Sequence, residues 1–355
     1  MRDDMTEQLL ELWAAREARD PSEHASLLYR LRTVLAATAG RRSLRTLLCL
    51  PNSLPDGGPA RVTAERRLAR LVAGSQRPED VVAVVYDEEA GVAASDEFKA
   101  CLLHELVLEG VAVPEYPLLR SFGQALVARR HPLARLPLRL LPAERALLRP
   151  ADAPRDWTWT LPPATVEAHG DRPELHVSAE TRGRGAAFDP VEVTVPEVAE
   201  AMGAVVRHWC EESNGTVAAQ EFWCPSPVPA DDFAAVFERL PLTPWPEEEQ
   251  RARLRPATSD RVLRILLTAA LRDPAYGSGM SGAYGRLATW STLGALVGTA
   301  PDAPVDDTAL LVEQADWFIA DPSSDWFHQV VWDLAVAVLR PGGQDVAVLA
   351  ATDTD

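Results

Sequence analysis

Up to about residue 150, apolar residues recur at the spacing of three and four that gathers them on one side of an α-helix. In "DPSEHASLLYRLRTVLAAT", Leu27, Leu28, Leu31, Val34 and Leu35 share a face. They follow an Asp20 N-cap, Pro21 at the first helical position and Glu23 closing a capping box. "SDEFKACLLHELVLEG" predicts a second helix, from a Ser95 or Asp96 cap to a stop at Gly110, with Phe98, Leu102, Leu106 and Val107 together. "LLRSFGQALVARRH" predicts another. No fixed sequence period links them, so stacked helical hairpins are expected rather than a repeat array.

Prolines then crowd, at 132, 137, 142, 150, 154, 162 and 163. Proline removes a backbone donor and breaks long elements, which places a domain border near residue 155, with "AERALLR" forming a helical turn or two inside the stretch. Beyond it the period changes to two. "ATVEAH" and "ELHVSAE" flank "GDRP" as a hairpin with one wet face, Leu175, Val177 and Ala179 lying opposite it.

"TVPEVAEAMGAVVRHWCEESNG" reads as a helix with a Thr194 to Glu197 capping box, a stripe of Val198, Ala201, Met202, Val205 and Trp209, and a stop at Asn214-Gly215. A strand, "TVAAQEFWC", follows. In the last 25 residues two apolar runs surround "RPGGQ". Trp332, Leu334, Val336 and Val338 alternate with Asp333, Ala335 and Ala337, which predicts a strand buried on both sides with a helix against the small face. Asp353 and Asp355, at the end of the second run, are expected in water. The fold class is α+β: an N-terminal helical domain over 1–155, then a mixed α/β domain over 156–355 with a largely antiparallel sheet.

Three segments, "HPLARLPLRLLPAER", "GAYGRLATWSTLGALVG" and "DWFHQVVWDLAVAVLRPGGQDVAVLAATDTD", resemble a family of uncharacterised actinobacterial proteins catalogued as a domain of unknown function. The resemblance implies a cytosolic actinobacterial protein and carries over no activity or catalytic residues. Lys99 is the one lysine among 35 basic residues, in keeping with a GC-rich genome.

Composition narrows the partners. At 47% hydrophobic and 25% charged residues, the chain has the make-up of a folded globular protein. No apolar run approaches the roughly 20 residues needed to cross a bilayer, and "MRDDMTEQLLELW" lacks the basic start of a signal peptide, so a cytoplasmic location without membrane contact is expected. Residues 1–150 hold 21 basic and 20 acidic side chains, whereas 151–355 hold 14 and 32, so the net charge of −17 resides in the second half. Such a field repels phosphate backbones. It points away from nucleic acid and toward a protein partner with a basic surface.

The candidate chemistry is sparse. Gly277, Gly279 and Gly282 spell the dinucleotide fingerprint G-x-G-x-x-G, and Gly279-Met280-Ser281-Gly282-Ala283 is one residue short of a nucleophile elbow. Both motifs need a strand upstream, and "SDRVLRILLTAALRD" reads as a helix ending near Asp273. His104-Glu105 lacks the second histidine of a zinc helix, and Cys49, Cys101, Cys210 and Cys224 form no C-x-x-C pair, so no metal or cofactor is expected. Asn214-Gly215-Thr216 is formally a glycosylation acceptor without a secretion signal beside it.

"DWFIADPSSDWFHQVVWD" interleaves aromatics and carboxylates, and Asp316, Trp317, Asp321, Asp325 and Trp326 are the candidate binding residues. The leading expectation is a non-catalytic binding or adaptor protein, of immunity type, that engages a basic partner through its acidic domain. One alternative is a small-molecule enzyme with a site between the glycine-rich loop 275–285 and the segment 316–328, using Ser281 with His328 or His208. A structural or assembly role is the other.

Overall fold

A computed structural model describes residues 21–50, 59–90, 94–147, 189–246, 253–330 and 332–355. The expected hairpin around "GDRP" and the Asp20 cap lie outside these residues. The described chain falls into two compact units. The first comprises residues up to Leu140 together with Ser281–Tyr284; the second comprises Leu141–Leu147, the described residues from 189 to Met280, and Gly285–Asp355.

The first unit is helical: α1 (Pro21–Ala37), α2 (Arg41–Cys49), α3 (Pro59–Ser75), α4 (Pro78–Val81), α5 (Asp96–Leu108) and α6 (Pro117–Ala128). Leu28, Leu31 and Leu35 of α1 are buried, as the helical spacing predicts. Ser95 caps α5 by accepting the Phe98 N–H at 3.0 Å. At the other end Gly110, at φ 82°, lets its own amide reach Val107 O and that of Val111 reach Leu106 O, so a Schellman turn closes the helix where Gly110 signals a stop. The α1–α2 connection is tied by Gln76, which donates to Ala36 O and Thr38 O and accepts from the Gly40 N–H.

Buried in this unit is a carboxylate, Glu105 of α5, which accepts the Ala283 N–H at 2.9 Å. Burial pushes its carboxyl up to about 7, against the opposing pull of Arg70 and the amides of Ala283 and Gly282; Glu109 adds to the rise. Unfolding returns the group to its ordinary 4.5, so the folded chain binds the extra proton between those values. The contribution of this group is therefore full below about pH 4.5 and is lost, by roughly 3 kcal/mol, as pH rises through 7. Glu105→Gln keeps the acceptor for Ala283 and removes the charge. Urea melts at pH 5 and pH 8 should show the decline flattened and the variant more stable at pH 8; an unchanged slope would sink this account.

The second unit is built on a six-stranded sheet of order β1-β2-β6-β5-β4-β3, antiparallel throughout. Its strands are β1 (Val191–Glu192), β2 (Thr216–Trp223), β3 (Leu254–Ala257), β4 (Asp316–Ala320), β5 (Trp332–Leu339) and β6 (Asp345–Asp353). Its helices are α7 (Pro196–Met202), α8 (Arg207–Glu212), α9 (Phe233–Phe237), α10 (Ser259–Leu271), α11 (Gly282–Val297, counted here from Gly285) and α12 (Val305–Gln314). The α+β fold class holds. The C-terminal hairpin forms around Gly342 and Gly343, both at positive φ, and a Cβ on Gly343 would lie 2.8 Å from Val228 O.

Strand β5 is buried on both faces, as its alternation predicts. On the small face the cover is mostly not helical. Ala335, Ala337 and Ala350 lie in one cluster with Phe233 and Phe237 of the five-residue α9 and with Trp245 and Phe327 from loops. The expected single helix over 194–213 is also broken, into α7, a 3-10 turn at Gly203–Val206, and α8. Its capping box does not form. The Thr194 hydroxyl is engaged at the sheet edge, donating to Glu192 and accepting the Glu221 N–H, so Val195 begins the helix without a side-chain cap.

Candidate functional site

The glycine-rich loop joins α10 to α11, so a helix leads into it. In a phosphate-binding loop, free backbone amides converge on the anion. Here five of the amides, those of residues 275, 276 and 278–280, are occupied by the chain's own acceptors. Ala275 N–H donates to Asp353 at 2.7 Å, Ser278 N–H to Glu212 at 3.0 Å and Gly279 N–H to Asp273 at 2.8 Å. Tyr276 N–H reaches the Ser213 hydroxyl and Met280 N–H the Ala270 carbonyl. Three carboxylates thus stand where a phosphate would, which removes the reason to read the motif as a nucleotide site.

The glycines serve close approach. A Cβ on Gly279 would collide with the backbone carbonyl of Leu271, and one on Gly285 would sit 2.7 Å from the Leu271 side chain. Ser281 is buried and belongs to the first unit. His328, in the second, is exposed, and its backbone N–H donates to the Thr352 hydroxyl at 3.1 Å.

The loop's anchor, Asp353, corrects an expectation. It does not emerge into water: its side chain is fully buried at the end of β6, whereas Asp355 is exposed. Its Oδ2 holds Ala275, and its Oδ1 has no hydrogen-bond partner among the described residues. Near it, His208 of α8 is buried with Nε2 3.1 Å from the Arg272 carbonyl. That bond assigns the ring proton to Nε2 and leaves Nδ1 a lone pair, also without a partner among the described residues. Burial lowers the His208 pKa, against the pull of the Arg272 carbonyl, Glu212, Asp353 and Asp273.

At the same end of the sheet, Trp332 donates its indole N–H to Asp273 O and carries the Arg272 guanidinium 4.2 Å from its ring centroid. Asp333 accepts from the Thr352 hydroxyl at 2.7 Å, and burial raises its carboxyl. Among the described residues, no group of three or more His, Cys, Asp or Glu is placed to hold a metal ion.

Of the candidate binding residues, Trp317 is in the core, with its indole N–H donated to Val312 O at 2.8 Å. Asp316 and Asp325 are exposed, Asp321 and Trp326 half-buried. The structure does not gather them at one point. Asp316 begins β4 while Asp321 follows its end, about 17 Å away at 3.3 Å per residue. Asp316 is exposed two residues beyond the end of α12. That helix buries Val305, Thr308, Ala309 and Val312 and exposes Asp306, Asp307, Leu310 and Glu313, with Leu310 58% exposed.

Residues 2–355 match the model of a family described as of unknown function. No curated protein and no solved structure matches the chain. Among the described residues, no helix is long and apolar enough to cross a membrane.

Proposed function

We propose, for a chain that belongs to DUF6183, a family of unknown function, a non-catalytic binding role in the cytosol of an actinobacterium: its acidic second unit engages a protein partner that presents basic residues. One observation carries this reading. From Leu287 to Phe327 there is no Lys, Arg or His, and seven carboxylates occur; Asp306, Asp307 and Glu313 stand exposed at i−4, i−3 and i+3 from the exposed Leu310, and Asp316 is exposed two residues beyond the helix. An apolar anchor ringed by one sign of charge suits a partner helix or loop with Arg or Lys around an aliphatic contact. The same field disfavours nucleic acid. The self-satisfied glycine loop supports binding over nucleotide chemistry.

The test is Asp307→Lys/Glu313→Lys/Asp316→Lys. Exposed ion pairs contribute about 0.2–1 kcal/mol each and reversal adds repulsion, so affinity for a retained basic protein should fall about tenfold or more, with the circular dichroism spectrum and melting curve unchanged. The parent chain, immobilised in native lysate at low salt, should release that protein as salt rises. Retention of the same proteins by parent and variant would reject the proposal.

A further inference from the structure

The first unit carries the opposite surface. From Tyr116 to Ala143 there is no Asp or Glu, and Arg120, Arg129, Arg130, Arg135 and Arg139 occur. Within this stretch α6 buries Leu119, Gly123 and Leu126 and exposes Arg120, Gln124 and Val127 at i, i+4 and i+7, with Val127 63% exposed. On α12, Asp306, Leu310 and Glu313 are exposed at the same spacing. α6 therefore presents two aliphatic side chains, Leu118 and Val127, with Arg120, Arg129 and Arg130 nearby in sequence and Asp96 paired to Arg129, whereas α12 presents Leu310 among carboxylates, so the prevailing signs are opposite.

Part of each set is accounted for locally: Arg129 pairs with Asp96 at the end of α6, and Asp306 and Asp307 stand in the first turn of α12, where the helix dipole favours them. Arg120, Arg130 and Glu313 are not. Arg120 lies near the start of α6 and Glu313 in the last turn of α12, each at the end where the helix dipole disfavours its charge. Arg130 is the clearer case. Its N–H donates to Val127 O and that of His131 to Leu126 O, a Schellman turn with Arg130 at φ 52° in the position glycine ordinarily fills. A left-handed conformation is unfavourable for an L-residue with a side chain. The fold offsets none of this through the side chain: the guanidinium is exposed and, among the described residues, has no hydrogen-bond or ion-pair partner, and Arg120 is in the same state.

We infer that these faces are two halves of one interface between copies of this chain, the α6 face of one copy docking on the α12 face of the next. The inference rests on the reading of the acidic surface given above and names its basic partner as a second copy. Because the two faces differ, the contact is head-to-tail, closing into a ring or extending as a chain. The net charge of −17 repels copies at long range. At about 0.1 M salt, however, screening beyond about 10 Å leaves each face to sense mainly the charges opposite it.

Light scattering after size exclusion, run on the full chain at about 0.1 M salt over a series of concentrations, tests this. Species heavier than the 38.7 kDa chain should appear as concentration rises and disappear at about 1 M salt. Arg120→Glu/Arg130→Glu and Asp307→Lys/Glu313→Lys should each remain monomeric alone, and an equimolar mixture of the two should associate, since each reversed face then meets its complement. Arg130→Gly relieves the backbone while deleting the guanidinium, so it should weaken association and melt no lower than the parent. A monomer at every concentration, association that survives both reversals, or a mixture that stays monomeric would overturn the inference. If the chain is monomeric and the acidic-face variant still loses a foreign basic protein, the binding role stands without self-association; if that protein is retained as well, both fail.

Discussion

Replacing Glu144 by alanine is expected to destabilise the second unit by about 3–5 kcal/mol, the cost of leaving a buried charge without its partner. Glu144 sits in the 3-10 turn Pro142–Leu147, and both it and Arg286 of α11 are almost wholly buried. Its Oε1 accepts from Arg286 Nε at 2.6 Å and Trp290 Nε1 at 2.7 Å, while Oε2 accepts from Arg286 Nη2 and the Leu141 N–H, both at 2.8 Å. Four donors converge on one carboxylate. Alanine removes this acceptor from all four in a buried setting, and each buried unmade bond to a neutral group adds about 1–3 kcal/mol. Glu144→Gln, which preserves one acceptor oxygen, should lose less. Glu144→Leu/Arg286→Met, which removes the charge with its partner, should recover most of the loss. Urea unfolding of the three variants is the measurement, and a Glu144→Ala loss below about 1 kcal/mol would mean that water reaches the pair.

This clamp was not legible in the sequence, and the reason is physical. Glu144 and Arg286 lie 142 positions apart, in a proline-rich stretch and in a helix otherwise made of small and apolar residues. Neither position has a local signal that its charge is buried; an arginine within "GAYGRLATW" is the nearest to one. Local patterns were legible where local physics decides the outcome. The Ser95 cap, the Gly110 stop, the α10-loop-α11 order and the β5–β6 hairpin all follow from residues within a few positions of one another. The broken helix at Gly203–Val206 and the diverted Thr194 do not: the Thr292 hydroxyl of α11 takes the Val205 N–H and reaches the Ala201 carbonyl, while the sheet edge takes the Thr194 hydroxyl.

The site shows the same division. The upstream helix is enough to weaken the glycine motif, but that Asp353, Glu212 and Asp273 occupy its amides required the fold. Asp353 in particular ends a run of apolar residues and reads as the polar exit of a strand. Its burial follows from where the α10–α11 loop crosses the end of β6. The aromatic and acidic segment looks continuous in sequence, yet strand β4 separates Asp316 from Asp321, and the indole of Trp317 turns inward. Exposure along α12, by contrast, can be read from its helical period once the helix is recognised.

Removing β6 should have the larger consequence. A chain ending at Gln344 loses the strand between β2 and β5, which pairs with both along eight residues each. It also loses Val346, Val348 and Leu349 from the two buried faces of the sheet. Burying each such side chain contributes about 1.5–3 kcal/mol, so the strand's apolar contribution is comparable to the whole 5–15 kcal/mol stability of a typical domain. Two newly opened strand edges would then invite pairing between chains. The expected product is insoluble, or lacks near-ultraviolet circular dichroism and a cooperative transition. Deleting Thr354 and Asp355 alone should leave the fold unchanged, since β6 ends at Asp353. Ending the chain at Thr352 should fall between the two, because it frees the Ala275 amide from its buried carboxylate at a cost of about 1–3 kcal/mol. Cooperative unfolding of the Gln344-terminated chain with the parent's midpoint would show that β2 and β5 can close on each other without the strand between them.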